Sequence, residues 1–142
     1  MRLHGWIAIA ATASMLAATC GLLGEVLSDG PRTMVMGGWL PPFGIAFTAD
    51  ALGAAFAVSA SFVALVCCVF SLSDIDPTGR RYGFYTFLML MTAGVNGAFL
   101  TGDLFNLFVF FEVLLAASYG LALHGSGPAR IKAGLHYIVI NL

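Results

Sequence analysis

The stretch LFNLFVFFEVLLAASYGLAL, Leu104 to Leu123, decides how this chain is read. As a helix, its roughly 20 residues match the ~30 Å hydrocarbon core of a bilayer. It carries one charge, Glu112, close to its middle. A carboxylate at that depth costs on the order of 3 kcal/mol even on the lenient insertion scale. The cost is avoided if the group is protonated, paired or facing a wet cavity. Such an acid reads by default as part of an ion or proton pathway. The competing reading is a neutral, hydrogen-bonded Glu that only pins helix packing.

On a helix of 3.6 residues per turn, Phe105, Phe108, Glu112, Ala116 and Tyr119 share one face. Tyr119 is the only other proton-capable side chain on that stripe and is a candidate to relay protons or tune the acid. Lipid against this face would strand the carboxyl in hydrocarbon, so the face is expected to pack inward. Thr101-Gly102-Asp103 precedes the stretch and is short enough to force an antiparallel helix pair. Asp103 is placed to cap the helix start, where its charge suits the positive end of the dipole.

The composition fits this reading. The chain has 60% apolar and 9% charged residues, with a mean hydropathy of +0.95. Soluble domains carry roughly 25% charge, so the chain is expected to be an all-α, polytopic membrane protein with the lipid bilayer as its first partner. It has no basic run to suggest nucleic acid, no glycine-rich phosphate loop and no HExxH pattern. Cys20, Cys67 and Cys68 lie in apolar stretches without CxxC spacing and read as small core residues. No ligand cluster implies haem, iron–sulfur, another metal or any cofactor.

Four complete spans are expected, at about 6–27, 46–72, 84–100 and 104–123, with a truncated fifth at 131–142. All belong to a single membrane domain, 1–142, that is a fragment of a larger fold. The last segment would reach only ~18 Å at 1.5 Å per residue. The first 20 residues resemble a signal peptide, but the apolar run continues to about Leu27 and suits a full span better. Ser28 to Ile45 reads as a turn-rich surface segment, with Trp39 and Phe43 suited to the headgroup level.

Basic residues set the expected orientation. A cytoplasmic N-terminus places Arg2, Arg80, Arg81, Arg130 and Lys132 inside and Arg32 alone outside. The small residues Gly53, Ala57, Ala60 and Ala64, and the pair Ala93 and Gly97, are candidate packing stripes. Asn96 and Asn106 read as helix-end and interface residues, and Asp50 as an acid in the first turn of the second helix. Lys132 and His136 share a face of the last segment. Lys132 either snorkels to the headgroups or faces inward to tune an acid. His136 is either a satisfied core histidine or a proton relay. Asn141 hydrates a path or packs a helix.

The segment AGVNGAFLTGDLFNLFVFFEVLLAASYGL, Ala93 to Leu121, resembles the antiporter-like membrane subunits shared by Mrp-type cation/proton antiporters and respiratory NADH:quinone oxidoreductase. LSDGP (27–31), GGWLPPFGIAFTAD (37–50) and HGSGPARIKAGLHYIVINL (124–142) resemble the D subunit of the Mrp system in particular. The resemblance implies a polytopic fold with inverted helical repeats. It also implies a role for Glu112 in proton transfer, with a lysine on a later helix as its partner and not Lys132. A helix before Trp6 and all helices after Leu142 would be missing, which suggests the second to sixth helices of a longer subunit.

The implied function is exchange of protons for Na+ or K+ by a hetero-oligomeric antiporter complex in the bacterial cytoplasmic membrane. One alternative is a proton-pumping subunit of NADH:quinone oxidoreductase. The other is a non-functional fragment or scaffold.

Overall fold

The computed structural model describes residues 2–39, 43–75, 83–125 and 127–141. Pro41, Pro42, Asp76, Arg80 and Arg81 lie outside the described residues, as do the side chains of Arg2, Arg130 and Asn141. The elements run α1 (Arg2–Asp29), β1 (Arg32–Val35), β2 (Ala46–Ala49), α2 (Ala51–Asp74), α3 (Phe84–Phe99), α4 (Leu104–Ala122) and α5 (Pro128–Asn141).

The helices start and stop where local chemistry dictates. The Asp50 carboxylate accepts from the Gly53 N–H at 2.7 Å and caps α2. Asp103 accepts from Phe105 N–H at 2.6 Å and Asn106 N–H at 3.1 Å, so it caps α4 as expected. At the end of α1, Gly30 takes a left-handed φ of 88°, and its N–H reaches the Val26 carbonyl at 3.0 Å. Glycine adopts this helix-terminating conformation without a Cβ penalty.

The segment between α1 and α2 is more ordered than a turn-rich connection. β1 and β2 pair antiparallel in the register Arg32↔Ala49, Thr33↔Thr48, Met34↔Phe47 and Val35↔Ala46. The second apolar segment therefore does not begin as helix at Ala46. Ala46–Ala49 is extended, and Asp50 stands one place before the first turn as the cap. β2 also bonds the hairpin between α3 and α4, with Thr48 N–H to Leu100 O at 2.8 Å and Gly102 N–H to Ala46 O at 2.9 Å. A small β-layer thus ties together the ends of α1, α2, α3 and α4.

Among the described residues, three helices are long and apolar enough to cross a membrane: Leu3–Asp29, Ala51–Asp74 and Leu104–Ala122. The expected four complete spans plus a truncated fifth therefore become three clear spans and two shorter apolar helices. α3 has 16 residues, which reach only about 24 Å, because its chain turns into the β-layer after Phe99. α5 is the other short helix.

Helices in lipid gain little from apolar burial against each other, so close packing and hydrogen bonds hold them. α2 buries Ala54, Ala57, Ser61, Ala64, Cys68 and Ser71, spaced alternately by three and four. The seam shares Ala57 and Ala64 with the expected stripe but runs through Ala54 and Ser61 rather than Gly53 and Ala60. At its far end, a Cβ on Gly5 would stand 3.0 Å from the Tyr85 hydroxyl, and Ser71 Oγ lies 3.2 Å from that hydroxyl. At the β-layer end, Phe56 and Phe99 stack with centroids 5.3 Å apart. These contacts fix α2 antiparallel to both α1 and α3.

Asn96 departs from its expected interface role. It is buried, and its Nδ2 donates to Thr92 O at 2.9 Å and approaches Met15 Sδ at 3.4 Å. Ser61 Oγ donates to its Oδ1 at 3.4 Å. One amide therefore links α1, α2 and α3. Asn106 does serve the hairpin, since its Nδ2 donates to Thr101 Oγ1 at 2.9 Å.

Candidate functional site

The placement of Glu112 follows from how α3 grips α4. Gly94 is buried against Leu114, where a Cβ would stand 3.0 Å from the Leu114 nitrogen. A Cβ on Gly97 would run into the Phe110 ring, and one on Gly120 into the Phe87 ring. The contact glycines that α3 itself supplies are Gly94 and Gly97. Ala93, expected in that stripe, is exposed. With Asn106, Phe110, Leu114 and Ala117 on the α3 side, the helical period turns Glu112 well over 90° away from it.

The Glu112 face is consequently open among the described residues. Phe105, Phe108, Glu112 and Ala116 are all exposed. None of the described helices covers the Glu112 part of this face, because α3 takes the opposite side of α4. Only its C-terminal part is covered. There Tyr119 is half-buried, and its ring meets the ring of Tyr137 on α5 edge-on, with centroids 5.5 Å apart and planes at 84°.

α5 runs back along α4. Tyr137 lies level with Tyr119, and Gly134 lies against Leu123. Lys132 therefore stands near the C-terminal end of α4, whereas Glu112 lies ten residues, or about 15 Å, before that end. The two are not brought together. The one ion pair among the described residues joins Asp29 and Arg32 at 2.6 Å on the β-layer side. Lys132 and His136 are both exposed, and His136 Nδ1 lies 3.0 Å from the Lys132 carbonyl. Among the described residues, no three His, Cys, Asp or Glu side chains cluster to hold a metal.

The buried linking role of Asn96 and the part played by Tyr137 escaped the sequence reading. Asn96 was legible as a polar group inside an apolar helix, the same signal that singles out Glu112. Tyr137 was not, because its position depends on how α5 crosses α4.

No protein-family model matches the chain. The D subunit of the "Probable K(+)/H(+) antiporter" from Rhizobium meliloti (strain 1021) is 48% identical over 129 residues, covering 91% of this chain and 24% of that protein. This chain is homologous to a segment of cation/proton antiporter D subunits. The D subunit of the Na(+)/H(+) antiporter from Alkalihalophilus pseudofirmus is 43% identical over 132 residues, covering 93% of this chain and 27% of that protein. The antiporter D-like chain spans about a quarter of the length of these curated relatives.

Chains of solved structures share its fold, among them the following two. A chain of the Mrp complex from Dietzia sp. DQ12-45-1b aligns with a TM-score of 0.82 at 30% identity, covering 99% of this chain and 27% of that one. A chain of the membrane-bound sulfane sulfur reductase, an archaeal respiratory membrane complex, aligns with a TM-score of 0.85 at 26% identity, covering 95% and 28%. The D-like chain is thus a multi-pass helical membrane protein whose relatives are transporter subunits.

Proposed function

We propose that this D-like chain is part of a subunit that exchanges protons for Na+ or K+ within a hetero-oligomeric complex of the bacterial cytoplasmic membrane, with its N-terminus cytoplasmic. Glu112 is the proton-carrying group. The observation that carries this reading is a lone mid-span carboxyl on the helix face that α3 leaves open. An ionised carboxylate there would be costly against lipid, so further helices of the intact subunit, or a wet cavity between them, are its natural cover. Protonated, the carboxyl is neutral. A cationic group brought close favours the ionised form and drives proton release. Alternation between those two conditions couples proton movement to movement of a cation.

Lys132 is too far along α5 to be that cationic group. It serves at the membrane boundary, where its side chain reaches the headgroups. His136 faces the same side of α5 and is available to relay a proton near that boundary.

Glu112→Gln in the intact complex tests the reading, because it keeps shape and hydrogen bonding while removing the titration. Cation-dependent collapse of a proton gradient in everted vesicles should be lost at normal assembly. Unchanged antiport would refute the assignment.

A second reading has the same carboxyl working in a proton-pumping subunit of a respiratory oxidoreductase. Similarity to a chain of a respiratory membrane complex favours it. Genomic neighbours encoding small antiporter subunits would support the first reading, and neighbours encoding redox subunits the second.

A further inference from the structure

Tyr119 carries an oxygen that packing does not explain. Its hydroxyl is out of reach of solvent and has no hydrogen-bond partner among the described residues. A buried hydroxyl left without a partner is costly. Phenylalanine would supply the same ring without that cost, and α4 uses it at Phe105, Phe108, Phe110 and Phe111. A tyrosine at this one position therefore asks for a role for the oxygen.

Its place on the helix suggests the role. Seven residues separate Glu112 from Tyr119, which is two turns, about 10 Å along the axis and about 20° around it. Beyond Tyr119, α4 ends within one turn, at Ala122. The Tyr137 ring closes over this point from α5, and the exposed His136 next to it lies against the Lys132 carbonyl. Tyr119 is the one proton-capable side chain on the Glu112 stripe between Glu112 and the end of α4.

We propose that the Tyr119 hydroxyl, held by the Tyr137 ring, relays protons between the C-terminal end of α4 and Glu112. This rests on the reading of Glu112 as the proton carrier. In each transfer the phenolic oxygen, reached by water in the intact complex, accepts a proton from a hydronium on one side as its own O–H bond breaks and that proton passes to a water on the other, which becomes the hydronium. The hydroxyl ends neutral and unchanged, so no other reactant is needed.

Tyr119→Phe in the intact complex tests the relay, measured beside Glu112→Gln in everted vesicles with rates expressed per assembled complex. The variant keeps the ring and its contact with Tyr137, so assembly should hold. The maximal antiport rate should fall by about tenfold or more, while the KM for the cation stays constant. A purely structural tyrosine would leave the rate per complex unchanged whatever happened to the yield, and that result overturns the relay. If Glu112→Gln abolishes antiport and Tyr119→Phe runs at the wild-type rate, the relay alone fails. If Glu112→Gln retains antiport, both readings fail.

Discussion

Two polar side chains placed in apolar helices have opposite fates. Asn96 is fully engaged, with donors and acceptors met by Thr92, Ser61 and Met15 on three helices. Glu112 meets none of the described residues in an ion pair, because its helix presents the other side to α3. The difference shows what a polar residue in a membrane helix can signify. A satisfied one pins the bundle, and an unsatisfied one points to what lies beyond it. Asn96→Leu should cost about 1 kcal/mol, since interhelical hydrogen bonds in membranes average roughly 0.6 and reach roughly 1.7 kcal/mol. A lowered unfolding midpoint of the detergent-solubilised subunit would register this loss, and an unchanged midpoint would deny Asn96 its linking role.

At the scale of elements, the sequence reading located the five described α-helices to within a few residues at most ends, because apolar runs and caps are local signals. Asp103 and the three-residue hairpin were legible for that reason. The β-ribbon was not. Ala46–Ala49 is as apolar as the helix that follows, so hydropathy merges the two, and the pairing that makes it a strand lies with Arg32–Val35 far back in the chain. The direction of the α4 face was also hidden, since it depends on which small residues α3 offers. Periodicity nominated Ala93 with Gly97, whereas the contact falls on Gly94 and Gly97.

Two substitutions test these element contacts. Gly97→Ala would drive its Cβ into the Phe110 ring and should cost roughly 1–3 kcal/mol as overpacking. Phe110→Leu in the same chain should recover part of that loss in yield of folded subunit. The absence of any recovery would mean that the two residues do not share the contact. Asp103→Ala should cost about 1 kcal/mol through loss of the α4 cap, while Asp103→Ser should retain most of the stability in the same melting measurement.

At the scale of the whole molecule, the β-layer gathers one end of the bundle, and the turn between α4 and α5 lies at the other. Cysteines introduced at Thr33 and Gly127, in a background where Cys20, Cys67 and Cys68 are replaced, should be labelled by a membrane-impermeant maleimide from opposite sides of the membrane. With a cytoplasmic N-terminus, Thr33→Cys reacts from outside and Gly127→Cys from the cytoplasmic side. Labelling of both from one side would break the alternation of spans on which the depth of Glu112 depends.

Under the proposed function, Glu112 takes up a proton within the membrane and antiport depends on it. A hydrophobic carbodiimide reacts with protonated carboxyls in apolar surroundings, so the most direct measurement follows two quantities in the intact complex. One is adduct formation at Glu112, read by mass spectrometry, and the other is antiport in the same vesicles. Antiport should fall in step with the fraction of Glu112 modified. Complete modification of Glu112 with antiport intact would contradict the proposed function.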